Sequence, residues 1–153
     1  MDSTTRRSPL IGWRLLALVY DFFPAVALWM LASAAFTYGY YLAGHAARDN
    51  IAPFTLLQWL LWLACWCLTG AYAVLSWRHG GRTLGMRPWR LRVATAEGTP
   101  ASIRALVARY AMGSVSLLLL GAGFWWAWVD RDRLTWHDRL SQTRMLRDRK
   151  APA

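Results

Sequence analysis

The stretch IGWRLLALVYDFFPAVALWMLASAAFTYGYYLAG, residues 11–44, decides how the rest of the chain is read. Its only charges are Arg14 and Asp21. A bilayer core takes about 20 mostly apolar residues in helical form, and this run is longer, so it predicts a membrane helix that tilts or kinks at Pro24. A cleavable leader would carry an apolar region of about 7–15 residues ending in small residues. Here the run continues far past that and contains Asp21, so it reads as a retained anchor. On a 3.6-residue period Arg14, Ala17, Asp21, Ala25, Leu28, Ala32 and Ala35 share one face, whereas Trp13, Leu16, Tyr20, Phe23 and Met30 lie on another. Small and polar residues mark the face that meets other helices, and bulky ones face lipid. Asp21 therefore points inward, about 15 Å past the helix start and near the bilayer centre. An ionised carboxylate there costs several kcal/mol unless it is paired or hydrated.

Two further runs, 54–77 and 110–129, carry no charge. With 56% hydrophobic residues and 11 tryptophans in 153 residues, little is left for a separate soluble domain. The net charge of +10 invites a nucleic-acid reading, but the positions of the charges exclude it. Basic residues gather at Arg6, Arg7 and Arg14, in seven arginines between 78 and 109, and in seven residues between 131 and 150. They flank the apolar runs, which is the positive-inside pattern with added attraction to anionic lipid headgroups. The expected partners are thus the lipid bilayer and those headgroups, with no nucleic acid. Cys65 and Cys67 are two residues apart on a helix and point about 200° from each other, so they read as small apolar groups rather than a disulfide or metal pair.

The expected organisation is a disordered tail over 1–10, a membrane domain over 11–146 and a C-terminal tail over 147–153. Helices fall at about 12–43, 54–77, 101–120 and 123–131. The nearly neutral loop 44–53 lies outside and the arginine-rich 78–109 inside when the N-terminus is cytoplasmic. Gly80-Gly81-Arg82-Thr83-Leu84-Gly85 reads as a turn rich in glycine. It leads to an alternating strand at 89–93 and a Glu97-Gly98 turn, with Thr99-Pro100 opening the next helix. A third full crossing would put the basic tail after 130 outside, against the charge rule. A shallow re-entrant segment, broken at Gly121-Ala122-Gly123, resolves this; a spanning segment is the alternative. The fold class is an all-α membrane protein, a small bundle of two full transmembrane helices plus this third segment, with a short cytoplasmic β-hairpin-like element.

Chemistry-bearing residues cluster on few faces. In helix two, Gln58, Trp62, Cys65, Thr69, Tyr72 and Ser76 recur at spacings of four and three, and such a stripe turns inward toward Asp21. The third helix adds Arg109, Gly113 and Ser116. Asp21 has two readings. It can be a packing carboxylate, bonded to this stripe or paired with Arg14 or Arg109. It can also be a proton- or cation-binding group, since desolvation favours the protonated form of a carboxylate. Arg14 can also snorkel to the cytoplasmic interface and meet a partner from the tail. His45, His79 and His137 lack zinc-ligand spacing, and residues 80–85 lack the ending of a phosphate loop. No enzyme, metal or cofactor is expected.

Trp13-Arg14 through Tyr20-Asp21 resembles the opening of the RDD family of bacterial membrane proteins, named for one arginine and two aspartates. Gly81-Arg82-Thr83-Leu84-Gly85-Met86, then Leu91-Arg92-Val93 and Glu97-Gly98-Thr99-Pro100, resemble its central segment. Trp136-His137-Asp138-Arg139-Leu140-Ser141-Gln142-Thr143 resembles its closing motif, which makes Asp138 the second aspartate. Met86 stands where a basic residue is common and Gln142 where glycine is common. The resemblance implies a bacterial inner-membrane protein, and the charge rule places both termini on the cytoplasmic side. Transport of unidentified ligands has been suggested for the family, and cation/proton antiport attributed to some members. On that footing Asp21 is the membrane carboxylate, with the helix-two stripe as co-ligands, and Arg14 and Asp138 form a cytoplasmic gate or latch. A strand at 89–94 pairs with one near 143–146. Three short segments make a thin bundle, so transport implies a homo-oligomer. The alternative is a non-transporting structural or accessory protein that assembles with other membrane components.

Overall fold

A computed structural model describes residues 10–46 and 49–148. The expected tails at 1–10 and 147–153 lie almost wholly outside these residues. The elements run α1 Ile11–Leu42, α2 Leu56–Gly80, β1 Leu91–Thr95, α3 Ile103–Leu118, α4 Ala122–Val129, α5 Trp136–Leu140 and β2 Thr143–Arg147. The protein is thus mostly helical with one small antiparallel sheet. Helices α1 and α2 are long and apolar enough to cross a membrane.

Local chemistry sets the boundaries. Helix α1 runs through Pro24 without ending, although the proline removes one backbone donor. Thr55 opens α2 by accepting a hydrogen bond from the Gln58 amide, and Gly81 closes it in the left-handed conformation, which glycine adopts without steric cost. The cap of α3 is Ser102, whose side chain accepts from the Ala105 amide, and not Thr99. Thr99 is taken up in the preceding turn: its carbonyl accepts from the Thr95 amide at 2.9 Å, and the two threonine hydroxyls meet at 2.7 Å.

The third apolar segment is broken between α3 and α4, where Gly121 takes a φ of 77° and the two helices meet at 97°. That angle is too sharp for one straight span and too open for a full return, so the chain turns sideways. Its continuation brings α5 and β2 back beside α3. Strand β2 then pairs with β1 in antiparallel register, Leu91 opposite Arg147 through Thr95 opposite Thr143. The pair is not a hairpin, because α3, α4 and α5 lie between its strands. Gln142, just before β2, holds a φ of 52°, a left-handed conformation that glycine would adopt without strain.

The best-buried apolar cluster is at this sheet end. Ala17, Met86, Leu91, Val93, Ala101 and Leu106 form it, with Leu10 and Trp13 packed against it. Trp13 does not face lipid as its helical position suggested: it packs tilted against Trp89, with ring centres 5.2 Å apart, and the Arg147 guanidinium covers its ring at 4.0 Å. Further along α1, Phe23, Met30 and Leu31 are each about 70% exposed, so the outer faces of the long helices carry the apolar surface that a lipid environment accepts.

Candidate functional site

Asp21 is the first node. The small residues on its face, Ala17 and Ala25, are buried and let neighbouring elements close on the helix. Tyr72 of α2 donates its hydroxyl to Asp21 Oδ1 at 2.8 Å, and the Gly85 amide donates to the same oxygen at 2.9 Å. Thr83 donates to Oδ2 at 2.5 Å. The Tyr72 oxygen also accepts from the Leu84 amide at 3.0 Å. The loop after α2 is therefore clasped onto α1 through one carboxylate. Gly85 is required by space: a Cβ there would come within 2.3 Å of the Ala17 carbonyl and 2.7 Å of Asp21 Cγ.

The second node joins the ends of the chain. Arg14 and Arg109 are buried, and both reach Asp138 of α5. Arg14 Nη2 sits 2.7 Å from Oδ2, and Arg109 Nη1 sits 2.5 Å from Oδ1. Arg14 Nη1 also donates to Thr135 at 3.1 Å, and Arg109 Nη1 to Thr143 at 2.8 Å. Thr135 and Asp138 form a capping box that fixes the short helix α5; each satisfies a backbone donor of the other. The Arg109 guanidinium also lies 5.7 Å from the Trp77 ring centre. Burial alone would raise the Asp138 carboxyl, but Arg109, then Arg14, and His137 outweigh it and hold it well below the usual carboxylate range. Burial pushes the neighbouring His137 imidazole down to about 3, reinforced by Arg109 and Arg14 and opposed by Asp138, so it is neutral at neutral pH. Two guanidiniums thus share one carboxylate.

Between the nodes and the far ends of the helices is a cavity of about 730 Å³. Arg14, Asp21, Arg109 and His137 stand at its polar end, and its walls come from α1, α2, α3 and α4. Of the helix-two stripe, Gln58, Trp62, Cys65, Thr69 and Tyr72 line it. Ser76 is half-buried and lies beyond it. On α3, Gly113 lines the cavity, whereas Ser116 is buried against the position of Gly123. Gly81 and Gly85 serve the clasping loop, Thr83 bonds Asp21, and His137 and Thr143 belong to the Asp138 node.

Two sequence expectations about Asp21 change. Neither Arg14 nor Arg109 pairs with it among the described residues; both serve Asp138 instead, because Arg14 lies about 10 Å along the helix axis. Nor is Asp21 remote from the loops. The first turns of α1 are enclosed by the sheet end, so depth counted from the helix start overstates its distance from that end. Sequence reasoning passed over Thr135 and the cavity aromatics Trp29, Trp66 and Tyr110. The Thr-x-x-Asp spacing at 135–138 was the available signal for the first; the aromatics give no pattern distinct from lipid-facing residues.

No curated protein and no solved structure matches this chain. The model of the RDD family matches residues 8–142, which takes in Arg14, Asp21 and Asp138. Over nearly its whole length, from the first node to the second, the chain belongs to the RDD family.

Proposed function

We propose that this RDD protein is a multi-pass protein of the bacterial inner membrane, with both termini cytoplasmic, that exchanges a cation for protons through the cavity between its helices. The observation that carries this reading is the cavity itself, with a carboxylate at its polar end and mostly apolar walls. Such a pocket with few, convergent polar groups is the usual form of a small-ligand site. From Asp21 to Leu42, α1 rises about 32 Å, close to the thickness of a hydrocarbon core. Asp21 then stands where the arginine-rich cytoplasmic cap meets the lipid, within reach of ions from that side. Cation and proton compete for its carboxylate. The Arg14–Asp138–Arg109 node locks the cap beneath the helices, and homo-oligomerisation supplies the walls that one thin bundle lacks.

A second reading is favoured by a specific observation. Asp21 already accepts hydrogen bonds from Tyr72, Thr83 and Gly85, which suits a carboxylate that only fastens a loop to a helix in an accessory membrane protein. Reconstituted vesicles separate the two. Transport requires cation-driven proton flux with the wild type and its loss in Asp21→Asn at unchanged insertion. Absence of flux with a well-folded wild type, or a strict monomer in lipid, overturns the transport reading and leaves the accessory one.

A further inference from the structure

The cation class can be read from what surrounds the carboxylate, granted the cavity reading above. A hard inorganic cation is held by about six or more oxygen lone pairs. Around Asp21 the groups are of the opposite kind: the Tyr72 and Thr83 hydroxyls and the Gly85 amide all direct protons at the carboxylate. The Tyr72 oxygen is further engaged as an acceptor by the Leu84 amide. Beyond this first ring of donors the walls are aromatic, with Trp29, Trp62, Trp66, Tyr72 and Tyr110 all lining the cavity.

Several of these rings are held in place by their polar ends. Trp29 donates to Thr69 at 2.9 Å and Trp66 to Ser114 at 3.1 Å. The Tyr110 hydroxyl donates to the Trp66 carbonyl at 2.8 Å. With their N–H and O–H groups so occupied, the rings have their π faces left to offer a ligand. Trp66 and Tyr110 stand 5.3 Å apart at a tilt of 41°, and are not stacked flat on each other. Along the helices Trp66 lies about 9 Å and Trp29 about 12 Å beyond the Asp21–Tyr72 level. Aromatic faces attract a poorly hydrated organic cation; at the cavity end Asp21 supplies the matching charge, while the two guanidiniums there, Arg14 and Arg109, are engaged by Asp138.

We propose that the cavity binds a lipophilic organic cation, with its charge toward Asp21 and its apolar body against Trp29, Trp66 and Tyr110. The ligand enters from a membrane in which such compounds concentrate.

The probe is tetraphenylphosphonium, with tetraphenylborate as a control of the same shape and opposite charge. Both are titrated against the purified full chain in detergent, with tryptophan fluorescence and calorimetry as readouts. The wild type is expected to bind the cation at least about tenfold more tightly than the anion, and Asp21→Asn to remove that preference. Trp66→Leu, which leaves the Asp21 clasp intact, is expected to weaken the cation several-fold. Equal affinity for the two probes overturns the proposal, because it shows apolar partition only; so does the absence of binding by the folded wild type. The wild-type comparison decides even where Asp21→Asn fails to fold. Flux of inorganic cations without binding of the phosphonium would defeat this inference while sparing the transport reading. Binding without any flux would do the reverse.

Discussion

Asp138 accepts from two buried guanidiniums, while the Arg139–Asp130 pair next to it is set on a side chain that is 55% exposed. The consequences of removing them differ in scale. Asp138→Asn leaves Arg14 and Arg109 buried without a counter-charge and is expected to cost about 3–5 kcal/mol. Arg139→Ala should cost at most about 1 kcal/mol. Thermal unfolding of the detergent-solubilised variants measures both, and equal losses would refute the assignment. His137 adds a pH signature. Its folded-state value is pushed from 6.5 to about 3, so below pH 6.5 the unfolded chain takes up a proton that the folded chain refuses. Stability therefore falls as pH drops through this window. The Asp138 carboxyl, lowered from 3.8, contributes stability that is lost only at more acid pH. The melting temperature of the wild type should decline between pH 6.5 and about 4.5, and His137→Gln should flatten that decline. An unchanged slope in the variant would exclude His137 as its source.

At the scale of elements, the loop 81–85 and helix α1 behave as one unit because Gly85 lets the loop lie directly on the Ala17 carbonyl. Gly85→Ala must push the loop off Asp21 and should cost about 1–3 kcal/mol. Gly113→Ala, with nothing within 4 Å of the added carbon, should be neutral or slightly stabilising, because alanine favours helix. A protease-sensitivity comparison of the two variants tests this, and equal sensitivity would dismiss the clasp. The elements themselves were largely legible in the sequence. Charge-free runs and the alternation around Leu91 and Val93 are strong local signals, and the face shared by Arg14, Ala17 and Ala25 is the one that is buried. The partners of the charges were legible only in part. Whether Arg109 meets Asp21 or Asp138 depends on the 97° turn after α3, which no local spacing encodes. The position of Trp13 failed for the same reason: its neighbours Trp89 and Arg147 arrive from remote segments.

Across the whole molecule, the N-terminal end of α1, the C-terminal end of α2, the sheet and α5 lie together. If α1 and α2 span the membrane, both chain ends fall on one side of it. A fluorescent reporter fused after residue 153 should mature in the cytoplasm, and a phosphatase fused there should stay inactive. The opposite pattern would mean that the third segment crosses. The node that ties the ends together also fixes when the fold can be completed. Thr135 follows Arg14 by 121 positions, and Asp138 comes later still, so Arg14 leaves the ribosome long before its counter-ion exists, whereas Arg109 precedes Asp138 by only 29 positions. Until Asp138 is added, the growing chain carries Arg14, and at the last Arg109 as well, without that partner. A chain released before residue 138 keeps them so permanently, which distinguishes truncated from finished protein by a mark that a membrane protease could read.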